Sequence, residues 1–161
     1  MIQRKQSVYL FLVSLICLAM TFSDINLYKG KAVTKDGISI DYKINTITST
    51  LGFEYPVTIS KFEIPVSITL VALLSIASIF FYRNLNRQLT LVTSNFGAIA
   101  IVLINVYLIK GRIGGTNGIT FQDLGLNWPI FLLLGVLILN FLAVRGIKKD
   151  LDLLASADRL R

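Results

Sequence analysis

The chain has 161 residues, 54% of them apolar, with a mean hydropathy of +0.70 and a formal net charge of +7. That apolar share exceeds the roughly 45 to 50% of a soluble domain, which excludes a water-soluble globule and makes lipid the solvent of a single domain. One cysteine and no histidine exclude an internal disulfide and most metal, haem and His-based acid–base chemistry, so no cofactor and no enzyme activity is expected.

Four stretches carry no charged residue: 7–22, 64–82, 89–109 and 129–144. A helix crosses roughly 30 Å of hydrocarbon with about 20 residues at 1.5 Å each, so each stretch predicts a span, the first and last by drawing in flanking residues. The expected helices run over about 7–25, 62–82, 89–110 and 128–146. In the first, Arg4 and Lys5 precede an apolar core as in a signal peptide, but Ala19 and Thr21 make a weak cleavage exit, and an uncleaved helix is expected. Cys17 reads as a small apolar core residue, because the small residues that precede a lipoprotein cysteine are replaced by Leu15 and Ile16.

Between the first two spans the period of the pattern changes to two. Ile38, Ile40, Tyr42 and Ile44 alternate with polar residues, as do Phe53, Tyr55, Val57 and Ile59. Asp36-Gly37 signals a tight hairpin joining a strand over 27–34 to one over 38–44, and Pro56 puts a third strand, 53–59, at an edge. The expected fold is an α-helical integral membrane protein of four transmembrane helices, with a small antiparallel β-meander, about 26–60, on the outer side between helices one and two.

Spans two and three are joined by a short turn, 83–88, with Asn84 and Asn86 as turn formers and Arg83 and Arg87 as interfacial anchors. The segment 111–128 carries Gly111, Gly114, Gly115 and Gly118 without a nucleotide-loop spacing. It reads as a flexible turn leading to Asn127 as a cap, Trp128 at the interface and Pro129 in the first turn of the last helix.

The basic residues are spread through every connection, which argues for membrane topology and against nucleic acid. With Arg4, Lys5, Arg83, Arg87, Arg145, Lys148, Lys149, Arg159 and Arg161 on one side, that side holds nine bases and three acids. The other holds seven bases and six acids. Positive charge marks the inner side, so both termini are expected in the cytoplasm.

No ionisable residue lies within the spans, and transporters and proton pathways usually place one there. Also missing are the paired cysteines of a four-helix disulfide-exchange enzyme, the Ser with His or paired Asp of an intramembrane protease, and the membrane carboxylate of a small multidrug exporter. The polar residues that remain read as packing and interhelical hydrogen bonding. Ser67, Val71, Ser75 and Ser78 share one face of helix two, and Ser94, Ala98, Ile101 and Asn105 one face of helix three. Asn105, Asn140, Ser75 and Ser94 are the candidate interhelical contacts.

The end of the chain, 147–161, reads as an amphipathic cytoplasmic tail. Ile147, Leu151 and Leu154 recur at helical spacing, and Lys148, Lys149, Arg159 and Arg161 are placed to meet anionic lipid or an acidic partner. The opening text, Met1 to Leu10, and the closing text, Ala143 to Arg161, resemble those of a Bacteroidota family catalogued as domain of unknown function 4293. The resemblance implies a four-span protein of a Gram-negative inner membrane with a periplasmic outside segment, and it brings no catalytic residues with it. The expected partners are membrane lipids and a larger membrane complex, in which the chain is an accessory or scaffold subunit. The competing expectation is a small transporter or channel with a path lined by Ser and Asn, and a membrane enzyme ranks third.

Overall fold

A computed structural model describes residues 5–23, 26–33, 39–45, 48–51, 57–60, 63–117, 120–126 and 128–159, without the side chains of 109–117 and 158–159 or those of the strands other than Leu27. Four helices, α1 (Lys5–Phe22), α2 (Glu63–Phe80), α3 (Leu85–Asn117) and α4 (Ile130–Arg159), pack in a ring in which each touches the next and α4 closes on α1. Each holds a stretch long and apolar enough to cross a membrane. The chain runs up and down, and the short turn between α2 and α3 makes those two helices antiparallel neighbours.

The helix boundaries have local causes. Asn84 caps α3, its carbonyl accepting the first helical bond from Gln88 N at 2.9 Å. Pro65 sits in the first turn of α2, where its missing N–H is an orphan in any case. Ahead of α4, Phe131 N and Leu132 N donate to Trp128 O and Pro129 O at 3.0 Å, a tightened first turn that places Trp128 at a helix end.

Two apolar clusters line the interior of the ring. The larger includes Val13, Cys17, Ile68, Val71, Ile99, Val102, Leu133 and Val136, all at most 2% exposed. The smaller, Leu10, Leu85, Val92, Ala143 and Ile147, lies toward the end that carries both chain termini. The outer surface is apolar too, with Phe11, Val66, Phe131 and Ile138 more than half exposed. A helix apolar all round is one whose outer face meets lipid.

The expected meander is corrected. In place of three strands confined to the first connection there is a five-stranded antiparallel sheet drawn from both: β1 (Asn26–Val33), β2 (Ser39–Asn45), β3 (Thr48–Leu51), β4 (Val57–Ser60) and β5 (Thr120–Leu126), in the order β4-β3-β2-β1-β5. β1 pairs with β2, and on its other side with β5 from the connection between α3 and α4. The third strand is replaced by the short pair β3 and β4, with β4 at one edge of the sheet. The Asp36-Gly37 turn, Pro56 and Asn127 lie outside the described residues.

The segment expected as a flexible glycine turn is also corrected. Its first part, through Gly111, Gly114 and Gly115, continues α3 to Asn117, and its second part is β5. Because β1 and β5 share a ladder, both long connections lie on one side of the membrane, with the α2–α3 turn and both helix ends that carry the termini on the other. The expected tail, as far as Arg159, continues the last helix. α4 runs unbroken for 30 residues, about 45 Å at 1.5 Å per residue, well beyond the roughly 30 Å hydrocarbon layer.

Candidate functional site: a buried amide layer and a basic helix end

Halfway along the ring three helices are tied by side-chain amides. Asn95 on α3 donates from Nδ2 to Ser75 Oγ on α2 at 2.8 Å and to Asn140 Oδ1 on α4 at 3.4 Å. Asn140 in turn donates to the carbonyl of Val92 at 3.2 Å, and Ser75 donates down its own helix to Val71 O at 2.9 Å. All three side chains are fully buried. Ser78, one turn on from Ser75, is buried as well and donates to Leu74 O at 2.7 Å.

Toward the terminus-bearing end, α1 meets α4 through Gln6, whose Nε2 donates to Asp150 Oδ2 at 2.7 Å. Gly146 makes this approach possible: a Cβ there would lie 2.6 Å from Gln6 Cγ. Four buried atoms in this half of the ring have no hydrogen-bond partner among the described residues: Gln6 Oε1, Gln88 Oε1, Gln88 Nε2 and Asn95 Oδ1. Each unsatisfied buried polar group costs about 1 to 3 kcal/mol, so four in one half of a four-helix bundle form a large local deficit.

The sequence-derived candidates separate in the structure. Asn140 and Ser75 join the amide layer, whereas Ser94 is exposed on the lipid side and Asn105 is half-buried without a hydrogen bond among the described residues. Helix three turns inward a face only partly shared with the expected one: Leu85, Gln88, Val92, Asn95, Ala98, Ile99, Val102 and Val106 are the buried residues among those described, so Ala98 lies inside and Ser94, Ile101 and Asn105 are not among them. Asn95 and Gln88 take the place assigned to Ser94 and Asn105. An asparagine one position after a serine was the available signal, because an amide between helices has more hydrogen-bonding capacity to satisfy than a hydroxyl.

We expect Asn95→Leu and Asn140→Leu each to lower the unfolding free energy in detergent by about 0.6 to 2 kcal/mol, the range for interhelical polar contacts in membranes. The double substitution should cost clearly less than the sum, since both remove the same bond. Strict additivity in chemical denaturation would mean that the two amides do not interact.

The second region is the projecting end of α4. Arg145, Lys148, Lys149 and Asp152 border a shallow groove of about 430 Å³ with Phe141 and Val144. Lys148 and Lys149 are exposed, while Ile147 is fully buried in the smaller cluster and anchors the helix to the bundle. Leu153 and Leu154 are 59% and 55% exposed. Arg159 lies on α4 with its side chain outside the description, and Arg161 lies outside the described residues. Nearby, Arg83 donates to Tyr82 Oη at 3.2 Å just past the end of α2, and Lys5 and Arg87 occupy the adjoining helix ends, so bases outnumber acids at this end of the molecule.

A second concavity, about 680 Å³, lies between α1 and α2 and is lined by Phe11, Leu15, Leu18, Phe22 and Ile79 with Ser14. The Ser14 hydroxyl donates to Phe11 O at 2.8 Å, so this groove offers apolar surface and no chemistry.

Four apolar spans in a closed ring, with both long connections joined in one sheet, define a multi-pass membrane protein. The chain belongs to the family described as Domain of unknown function (DUF4293), whose model matches residues 2–160. No curated protein matches it.

Proposed function

We propose that the protein is a non-catalytic subunit of a larger assembly in the inner membrane of a Gram-negative, Bacteroidota-type envelope, and that it docks through the basic end of α4. The observation that carries this reading is the projecting helix itself. Beyond its anchor at Ile147 it holds Lys148 and Lys149 in solvent beside the exposed Leu153 and Leu154, a helix face that combines charge with apolar area. Side chains of the larger apolar cluster close the ring on the sheet side of the amide layer, which speaks against a continuous polar path. The excess of bases at the terminus-bearing end supports a cytoplasmic location for both termini and for this helix.

Truncation after Asp152 tests docking while keeping Ile147 and Asp150. The shortened protein should insert and fold, yet lose most of the partner protein that copurifies with the full chain after mild extraction. Equal recovery of partner with both forms, and with the truncated form that also carries Lys148→Gln and Lys149→Gln, would end the proposal.

Orientation is tested separately in a Cys17→Ala background. Single cysteines at Asn84 or Ser156 should label in intact spheroplasts with membrane-permeant reagents only, and one at Thr116 with impermeant reagents as well. The reverse pattern would invert the topology.

A second reading, a small-solute transporter, is favoured by the buried layer of Ser75, Asn95 and Asn140. Flux through proteoliposomes that Asn95→Leu abolishes would support it against the docking reading.

A further inference from the structure

The unpaired amide atoms are explained neither by docking nor by helix packing. Gln88 is fully buried with both its oxygen and its nitrogen unpartnered among the described residues, Asn95 is fully buried with its oxygen unpartnered, and Gln6 is 4% exposed with the same deficit. All three lie in the half of the ring that ends at the chain termini. Along α3, Gln88 and Asn95 are two turns apart, and they share a face with Val92, whose carbonyl already accepts from Asn140. The polar groups thus descend from the membrane surface, where Gln6 meets Asp150, to the amide layer at about half the depth of the bilayer. Beyond that layer Ile68, Val71, Ile99, Val102, Leu133 and Val136 form an apolar cluster, and the buried Ser67 hydroxyl there is already satisfied by Ile64 O at 2.9 Å.

We infer that this half of the ring holds bound water, a blind hydrated seam between the helices that hydrogen-bonds Gln88 and Asn95 and is covered at its outer end by the Gln6–Asp150 contact. The chemistry of the unpartnered atoms selects the ligand. A bare cation would satisfy the three oxygens but be repelled by the Gln88 N–H, and an anion would meet the oxygens unfavourably. Water donates to the oxygens and accepts from the nitrogen, and a buried water typically makes two to four such bonds. The low dielectric of the surrounding lipid and apolar side chains makes this pairing more valuable than it would be near solvent.

The test is water-edited solid-state NMR on the full chain in lipid bilayers, reading transfer of magnetisation from water to the side-chain amides of Gln88 and Asn95. Methyl groups of Ala72 and Val102, both buried in the apolar cluster, serve as the reference. Transfer to both amides several-fold faster than to these methyls is expected. In Gln88→Leu, transfer to Asn95 should fall several-fold, because the seam loses the group that holds its water. If Gln88→Leu does not fold, Gln88→Asn, which keeps the amide but shortens its reach, should still slow the transfer to Asn95. Transfer to the wild-type amides no faster than to the methyls would show a dry interior and overturn the inference, as would an Asn95 signal unaffected by a folded Gln88 variant.

Discussion

Gly146→Ala should loosen the bundle at its terminus-bearing end, despite alanine being the better helix former by about 1 kcal/mol. The added Cβ would fall 2.6 Å from Gln6 Cγ, an atom near the root of its side chain that cannot swing away without moving the rest. Either α1 shifts from α4 or Gln6 leaves its pocket, and both outcomes break the 2.7 Å bond to Asp150. Overpacking of this kind costs about 1 to 3 kcal/mol, enough to outweigh the helix propensity gained. Thermal unfolding in detergent should show the loss, and Gln6→Ala in the Gly146→Ala background should recover part of it by removing the clashing atom. A Gly146→Ala protein as stable as the parent would mean that α1 and α4 are further apart than described.

The second large effect is expected at the basic end. Lys148→Gln with Lys149→Gln leaves the bundle intact, since both side chains are exposed and α4 is anchored by Ile147. Basic residues near an anionic surface contribute about 1 kcal/mol each, so two neutralisations should weaken association of this helix with an acidic partner or lipid by about 30-fold. The interaction of the parent should also decline as salt rises from 50 to 300 mM, conditions under which the Debye length falls below about 10 Å. Binding of an acidic partner that is indifferent both to the substitutions and to salt would assign the contact to Leu153 and Leu154 alone.

How much of this was legible in the sequence differs from element to element. The spans could be read because a charge inside hydrocarbon is so unfavourable that its absence over 16 or more residues leaves little alternative. Which face of α3 points inward could not. In water, the apolar face of a helix marks the core, but in lipid both faces are apolar, and Ser94 and Asn95 fit the pattern of small and polar residues equally well.

The apolar run of the third span starts at Leu89, which puts Gln88 in the expected turn 83–88. The helix in fact begins at Leu85, capped by Asn84, and carries Gln88 into the interior.

The missed strand has a different cause. β5 pairs Phe121 with Ala32 and Asp123 with Lys31, so that Gln122 is an extra residue opposite the β1 ladder. A bulge resets the alternation of side chains, and the sequence 120–126 therefore lacks the period of two that revealed β1 and β2. Its pairing with β1 also joins residues far apart in the chain, which a local reading of turns and periods does not reach.

The docking role is tested most directly by extracting the tagged chain from native membranes into polymer-bounded lipid discs and measuring the mass of the particles, alongside solute flux in reconstituted vesicles. The account predicts a defined particle that contains at least one other protein, that dissociates when Lys148 and Lys149 are neutralised, and that carries no flux of its own. A particle built from this chain alone, unchanged by those substitutions and conducting a solute unless Asn95 is replaced by Leu, would contradict it.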